Sequence, residues 1–528
     1  MSARLLHPDE YELGSRSSLD SEGTFNLDEA DFETQENITA RWNAQPISWL
    51  PRMFSSMPGY RRLKTNTRPN RVKYTRPTCI PRPTCIPRPL FRRRCWYFHF
   101  IVTVTFALIL FTSILTPSYT QPPAHYSTLR KSALEKSYPG RGNPRNEKVF
   151  IAASLYDRGG NLARGQWGMQ LLRLVDFLGD HNVFVSIYEN DSGAEGQAAL
   201  QELEQQISSP KKIVFEEHID LDTIPSVTIP GGERRIKRIE YLAELRNRAL
   251  QPLKDHPEIR YDKILYLNDI LFDPLDALHL LFSTNANEDG VAQYRAACAV
   301  DFDNPFKFYD TYATRDLQGF SMGLPFFPWF TTAGQGDSRK DVLQGKDAVR
   351  VRSCWGGMVA FDAQYFQDPL PASNGPARFR SGADLFWEAS ECCLIHADIQ
   401  DPQTNVDGWI ADTGIYMNPF VRVAYDRRTL SWLGVTRRWE KLYTLIHNFG
   451  NHLVGLPWEN PRRTESPGQS VQETVWVSDG NQDGGGSFQV LDRIAGNDGY
   501  CGRRGLQVIV PSRNPGQKGY ESIPVPSM

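Results

Sequence analysis

Between Lys148 and Asp273 apolar and polar residues come in blocks. Three apolar runs stand out: KVFIAASLYD (Lys148–Asp157), NVFVSIYENDSG (Asn182–Gly193) and KILYLNDILFD (Lys263–Asp273). Such runs, each followed by a segment with helical spacing, are the pattern of strands buried on both faces in parallel βαβ units. The helical segments are Gln166–Leu178, Gly196–Ile207, Arg238–Leu253 and Pro274–Phe282, and the shorter run Lys212–Ile219 adds a strand. Val291–Phe302 and Val349–Asp362 read as later strands, the second interrupted by Gly356 and Gly357. The pattern predicts one α/β domain over 147–450, with a nucleotide-binding half followed by a mixed second half.

One apolar block is of a different kind. Trp96–Leu115 (WYFHFIVTVTFALILFTSIL) contains no Asp, Glu, Lys or Arg. As a helix it is long enough for a hydrocarbon core of about 30 Å. Arg92, Arg93 and Arg94 precede it, and no Lys, Arg, Asp or Glu follows until Arg130. The segment lies too far from Met1 for a cleavable signal peptide. The positive-inside rule predicts a single-pass type II protein with 1–95 in the cytosol and the rest in the lumen. A Golgi or other secretory-pathway membrane is expected.

The net charge of −2 hides a split in the tail. Residues 1–50 carry ten Asp and Glu against three Arg, whereas 51–95 carry thirteen Lys and Arg and no acid. RPTCIP occurs twice, at Arg76–Pro81 and Arg82–Pro87. Proline at that density denies regular structure, so 1–95 is expected to be disordered, with a basic half suited to anionic lipid. No aromatic platform accompanies the charge, and no nucleic-acid partner is expected. Residues 116–146, rich in Pro, Ser and Gly, read as a stem. Residues 451–528 are less periodic and read as an extension partly packed on the domain. Cys298, Cys354, Cys392, Cys393 and Cys501 fall on the lumenal side, an odd number that leaves at least one unpaired. Cys95, at the membrane edge, suits acylation. The sequons at Asn37 and Asn190 are both expected to stay bare, the first by topology and the second by its place at a strand tip.

Ligands of parallel sheets sit beyond the carboxyl ends of the strands. Those ends present Glu189, Asn190, Asp191, Asn268 and Asp269. Clustered carboxylates there suit a divalent cation and, through it, a diphosphate, which is the chemistry a nucleotide-sugar transferase requires. Asn and Asp equally favour turns and helix caps, so both tips also have a plain structural reading. Asp273, just before Pro274, fits a helix N-cap. The paired glycines of CWGGMVAFD let a sugar or another backbone come close. Asp384, Glu388 and Glu391 lie at helical spacing within Phe379–Ile399, on a face that is either solvated or turned to an acceptor. His396 is a metal ligand or a structural residue. The aromatic loop Ser321–Phe330 either stacks on sugar or is buried. No Cys/His zinc spacing occurs, so Mn2+ or Mg2+ is the expected cation.

Taken in order, FIAASLYD, IYENDS, AELRN, LYLNDILF, YRAACAVDF, FYDTYATRD, RSCWGGMVAFDA, FRSGADLFWEASECCLIHADI and YCGRRGL resemble the fungal capsule-associated α-1,3-mannosyltransferase family, glycosyltransferase family 69. The resemblance covers about 147–450 and part of the tail. It implies a GT-A-like nucleotide-sugar-binding sheet flanked by helices. It also implies GDP-mannose as donor, a mannose-containing glycan as acceptor, a divalent cation, and α-1,3 transfer with retention. Carried onto this sequence, it makes Asp269 and His396 metal ligands. Glu189, Asn190, Asp191, Arg246, Asn268, Trp355, Gly356 and Gly357 become nucleotide-sugar contacts, and Glu391 and Asp384 catalytic groups. Many transferases carry Asp-x-Asp where this chain has Asn268-Asp269. Some related capsule proteins serve polysaccharide assembly or export, so a non-catalytic assembly factor is the alternative. A glycoside hydrolase would need two carboxylates about 5–10 Å apart and no nucleotide.

Overall fold

The computed structural model of the chain describes residues 88–370, 375–479, 485–510 and 519–526, with side chains from Trp96 onward. The expectations for the acidic and basic tail and for Asn37 lie outside the described residues. The described residues fall into two units that divide between Phe111 and Thr112. The described part of the first is helix α1 (Arg88–Leu115), whose last turn belongs to the second. Trp96, Phe98, Ile101, Phe106 and Phe111 are all exposed on it. Trp96–Leu115 has the length and composition to cross a membrane.

The second unit is built around a ten-stranded mixed sheet. Strands β1 (Val149–Leu155), β2 (Val183–Asn190) and β3 (Lys211–Glu216) run parallel. The chain then passes through the hairpin β4 (Ser226–Thr228) and β5 (Arg234–Ile236) and returns as β6 (Lys263–Leu267), parallel to β1 on its other side. There follow β7 (Ala296–Asn304), β8 (Lys307–Phe308), β9 (Arg315–Asp316), β10 (Val349–Ser353) and β11 (Met358–Asp362). Short strands β12 (Trp387–Ala389), β13 (Gln403–Thr404) and β14 (Ile410–Asp412) precede the long β15 (Ile415–Ala424). Across the sheet the order is β3-β2-β1-β6-β11-β7-β15-β10-β9, with β8 beside β7. β11 runs antiparallel between β6 and β7, and β15 lies parallel to β7. This is a mixed α/β fold, with the parallel half first.

Every residue of β1 and β6 is buried, because layers cover both faces. Alternation sends Ile151 and Ala153 to one side, against α3 (Gln166–Leu178), α4 (Gly193–Gln206) and α6 (Pro274–Phe282). Phe150 and Ala152 go to the other, against α5 (Arg238–Asp255). The limits of α3 and α6 are those the spacing predicts. Asp273 caps α6 by accepting the Leu275 N–H at 2.9 Å, with Pro274 at the first helical position.

Three expectations change, and the open reading of the aromatic loop is decided. Val349–Asp362 is two strands that do not pair: β10 joins β15 and β9, while β11 joins β6 and β7. The chain turns at Gly356 and Gly357 (φ 59° and 67°), and a Cβ on Gly356 would lie 2.0 Å from the Ala299 carbonyl oxygen. Gly356 therefore admits backbone, and Gly357 admits the Ile270 side chain. Phe379–Ile399 is not one helix. Asp384 lies in a loop, Glu388 in β12, and Ser390 caps α9 (Glu391–Ile399) by accepting the Cys392 N–H at 3.2 Å. The stem is not a bare spacer. It contains α2 (Ala124–Glu135), whose Tyr126, Leu129 and Ala133 are buried, and Tyr126 stacks on His279 with ring centroids 4.5 Å apart. In the aromatic loop Phe327, Trp329 and Phe330 are core residues.

Helices α7 (Asp337–Gln344), α8 (Gln364–Gln367), α10 (Arg427–Thr436) and α11 (Thr444–Val454) complete the helical set among the described residues. The C-terminal extension forms the hairpin β16 (Ser470–Ser478) and β17 (Gly486–Ile494), then β18 (Gly502–Arg504), β19 (Gln507–Ile509) and β20 (Tyr520–Ser522). β18 pairs with β12, and the Cys393–Cys501 disulfide fastens the two segments. A second disulfide joins Cys298 to Cys354, and Cys392 is the free, buried fifth cysteine.

Candidate active site

The chain leaves β1 toward β2 and comes back to β6 on the opposite flank. Such a reversal opens a crevice beyond the carboxyl ends of the strands. Asp157, two residues past β1, is committed to its own loop: its carboxylate accepts the Leu162 N–H at 2.9 Å and the Ala163 N–H at 2.8 Å. Its own N–H donates to Ser192 Oγ at 2.9 Å, which ties the β1 and β2 tips together. Burial raises the Asp157 pKa, those backbone bonds act against the rise, and the nearby Asp269 carboxylate adds to it.

On β2, Glu189 is fully buried, and among the described residues neither carboxylate oxygen has a hydrogen-bond partner. Burial pushes its pKa up to about 7; Ser192 tempers this without reaching hydrogen-bond geometry, and Asp157 adds to it. Asn190 is buried, its amide donating to Tyr241 Oη at 3.1 Å and to the Asp191 carboxylate. Asp191 adopts a left-handed φ of 60°, with Oδ1 2.9 Å from Nδ1 of the exposed His218. Its carboxylate holds the imidazole pKa above the ordinary value.

On β6 the structure draws three predicted residues into one unit. Asn268 Oδ1 accepts from Arg246 Nη1 at 3.2 Å and from Trp355 Nε1 at 3.3 Å. Its backbone carbonyl takes the Trp167 indole N–H at 2.9 Å, and its N–H donates to Gly357 O at 2.9 Å. Arg246 stacks 4.3 Å over Trp355 and donates from Nε to Glu391 Oε1 at 3.0 Å. Burial opposes its charge, but the surrounding Cys392, Glu391 and Tyr266 outweigh that and hold its pKa above the ordinary value. Asn268 thus supplies an acceptor to two donors without adding a second carboxylate beside Arg246. Asp269, the next residue, is partly exposed at the crevice.

Other predicted residues stand apart. Asp384 pairs with Arg462 at 2.6 Å, and Glu388 accepts the Gln507 N–H at 3.1 Å. His396 is fully buried, Nδ1 2.6 Å from Cys392 O and Nε2 3.9 Å from Cys298 Sγ. His396, Cys298 and Cys354 bring their ligand atoms within 4.8 Å of one another, but the two sulfurs are joined in a disulfide and offer no thiolate. Burial lowers the His396 pKa to about 4, so it is a neutral core histidine.

Two carboxylates escaped the sequence reading. Asp301 on β7 accepts Tyr425 Oη–H at 2.9 Å and the Asp310 N–H at 3.1 Å; Asp310 accepts from Ala313 N and Gly356 N at 3.0 and 3.3 Å. Both line the cleft with Arg246, Asn268, Trp355 and Glu391. The signal for Asp301 was an acid inside an otherwise apolar strand, AACAVDF. Burial, then the Asp310 charge, pushes Asp301 up to about 8. The unfolded chain ionises this group near pH 4. Its stabilising contribution is therefore complete below about pH 4 and is lost as pH rises through 8. Asp301→Asn, which keeps an uncharged hydrogen-bonding group, is expected to flatten that decline. Urea midpoints measured across this window check it; an undiminished decline would place the proton elsewhere.

The parallel-first sheet with acidic tips at a switch point defines a ligand-binding α/β architecture. Residues 148–398 match the family described as Cryptococcal mannosyltransferase 1. The chain is 26% identical over 279 residues to the alpha-1,3-mannosyltransferase CMT1 of Cryptococcus neoformans var. neoformans serotype D, covering 49% of this chain and 53% of that protein. The aligned part thus spans about half the length of that relative. Over that stretch the chain is similar to the fungal capsule mannosyltransferase family. Among solved structures, the mannosyltransferase PcManGT from Pyrobaculum calidifontis, in complex with GDP-Man and Mn2+, is 12% identical at a TM-score of 0.29, over 66% of this chain and 75% of that one. Glucosyl-3-phosphoglycerate synthase from Mycobacterium tuberculosis, in complex with Mn2+, UDP-glucose and phosphoglyceric acid, is 13% identical at 0.25, over 71% and 95%.

Proposed function

We propose that the chain is a GT-A-type mannosyltransferase that moves mannose from GDP-mannose to a mannose-containing glycan, forming an α-1,3 linkage with retention. We place it as a single-pass type II enzyme of the Golgi or a neighbouring secretory membrane, anchored by Trp96–Leu115. The observation that carries the reading is the Arg246–Asn268–Trp355 unit beside Asp269 at the switch point, inside the segment that matches the family.

The roles follow from what each side chain already does. Arg246 carries a charge that neither burial nor pH removes, and suits a departing diphosphate. Glu391 holds Arg246 in place and acts as a positioning residue. Trp355 covers the guanidinium face and fixes Asn268. Asp384 is assigned to the acceptor side, where its pair with Arg462 would have to open.

A hard divalent cation, Mn2+ or Mg2+, fits the donor set. Asp269 and Glu189 offer oxygens, and Glu189 is a buried carboxylate without a partner among the described residues. Asn268 is excluded as a ligand, since its carbonyl oxygen serves Arg246 and Trp355. When bound, such an ion supplies charge neutralisation at the diphosphate.

Purified full-length protein in detergent, given GDP-mannose and a mannose-containing acceptor, is expected to release GDP and extend the acceptor. UDP-sugars should give neither. Failure to bind or turn over any nucleotide sugar would leave the assembly-factor role in its place.

A further inference from the structure

Helix α11 is built inside out. His447 and Asn451 face the interior, while Leu445, Ile446, Phe449 and Leu453 are 74%, 59%, 73% and 59% exposed. Helices of soluble domains place apolar residues inward. The inversion is fixed by hydrogen bonds. His447 Nδ1 accepts from Arg339 Nη1 at 2.9 Å and Asn451 Nδ2 at 3.0 Å, so Nε2 carries the proton and donates to Leu324 O at 3.0 Å. The Leu324 N–H donates back to Asn451 Oδ1 at 2.8 Å. These bonds set the rotation of α11, so its apolar side has no freedom to turn inward. Trp432 and Val435 on the neighbouring α10 are exposed as well.

The location of this face says what meets it. The Ser118 N–H donates to Arg437 O at 3.1 Å, and Arg437 Nη1 donates to Tyr119 O at 3.0 Å. Ser118 lies three residues past Leu115, the last residue of the apolar span, a reach of at most about 10 Å. The point where the chain leaves the span is thereby fastened to the end of α10, and α11 starts seven residues further on. Between Arg427 and Gly455 there are five basic residues (Arg427, Arg428, Arg437, Arg438, Lys441) and one acid, Glu440, which Arg422 neutralises at 2.7 Å. An apolar face with a basic surround suits the boundary between headgroups and acyl chains.

We propose that α10 and α11 form a second membrane contact: Leu445, Ile446, Phe449 and Leu453, with Trp432 and Val435, insert into the interface of the bilayer that Trp96–Leu115 spans. The exposed Arg427, Arg428 and Arg438 lie at anionic headgroups. This rests on the reading of that segment as a membrane span. The domain is then held against the membrane at two points rather than free to swing on its stem.

The test uses full-length protein with Cys79, Cys85 and Cys95 replaced by serine, reconstituted in phosphatidylcholine–phosphatidylserine vesicles. One nitroxide label is placed in turn at Leu108→Cys in the span, at Phe449→Cys on the proposed face, and at Val490→Cys, an exposed site on β17. Collisions with oxygen report lipid, and collisions with a water-soluble nickel chelate report solvent. Labels at 108 and 449 are expected to favour oxygen several-fold over the label at 490. A solvent-like label at 449 beside an immersed one at 108 overturns the proposal while keeping the span. The reverse keeps the face and overturns the span, and two solvent-like labels overturn both. Spin–spin broadening at 449 without oxygen enrichment assigns the face to a second copy of the chain and also overturns the proposal.

Discussion

Asp269→Ala is expected to lower mannose transfer by about 10³-fold while leaving the fold intact, a loss of the size seen when one electrostatic partner of a transition state is removed. The carboxylate stands at the open end of β6, outside the buried run Lys263–Leu267, so truncation leaves no core cavity. Asp273, four residues on, has a different job. Its carboxylate caps α6, and Asp273→Ala should cost about 1 kcal/mol of stability with transfer retained. Chelation with EDTA should mimic the Asp269 variant in the wild type, and Mn2+ or Mg2+ should restore turnover. Transfer at saturating metal, read beside thermal melts, decides the matter. Full activity in the Asp269 variant, or unchanged turnover after verified metal depletion, would shift the charge burden onto Arg246.

The parallel half of the sheet was readable because burial on both faces leaves a strong mark. β1 and β6 have no exposed residue, and short, nearly all-apolar runs followed by helical spacing match buried parallel strands. Helices α3 and α6 were equally clear, the second because Asp273-Pro274 signals its start. The errors came where local pattern and tertiary demand diverged. Gly356-Gly357 sits in a continuous apolar stretch, and only the closeness of Ala299 O shows that the pair makes a turn. Asp384, Glu388 and Glu391 fall at helical spacing by coincidence; the better signal was Ser390, a cap directly before the true start of α9. The strand tips and the members of the central unit were named from the sequence, but the contacts that join them were not. Arg246 meets Asn268 across 22 residues and Glu391 across 145, contacts with no local signature. Asn268 is instructive. By spacing alone it is a defective Asp-x-Asp; in the fold it is the neutral acceptor that Arg246 and Trp355 both require.

That unit should also dominate stability. Arg246→Ala is expected to destabilise the domain by about 3–5 kcal/mol and to abolish transfer, because it strands Glu391 as an uncompensated carboxylate that is only 2% exposed. The loss has further components. Trp355 loses the cation stacked on its face, and Asn268 loses one of its two donors. Glu391→Gln should be milder, since it leaves an oxygen for Arg246 Nε and buries no lone negative charge. The double variant Arg246→Met with Glu391→Gln separates structure from chemistry. Replacing both charges of a buried pair by groups of similar size is often neutral for stability, so it should recover most of the melting temperature yet remain inactive. If the double variant regains transfer along with stability, the arginine is a structural residue, and the charge on the departing diphosphate must be met elsewhere. If it folds and stays silent while still binding Mn2+, Arg246 acts in the chemical step.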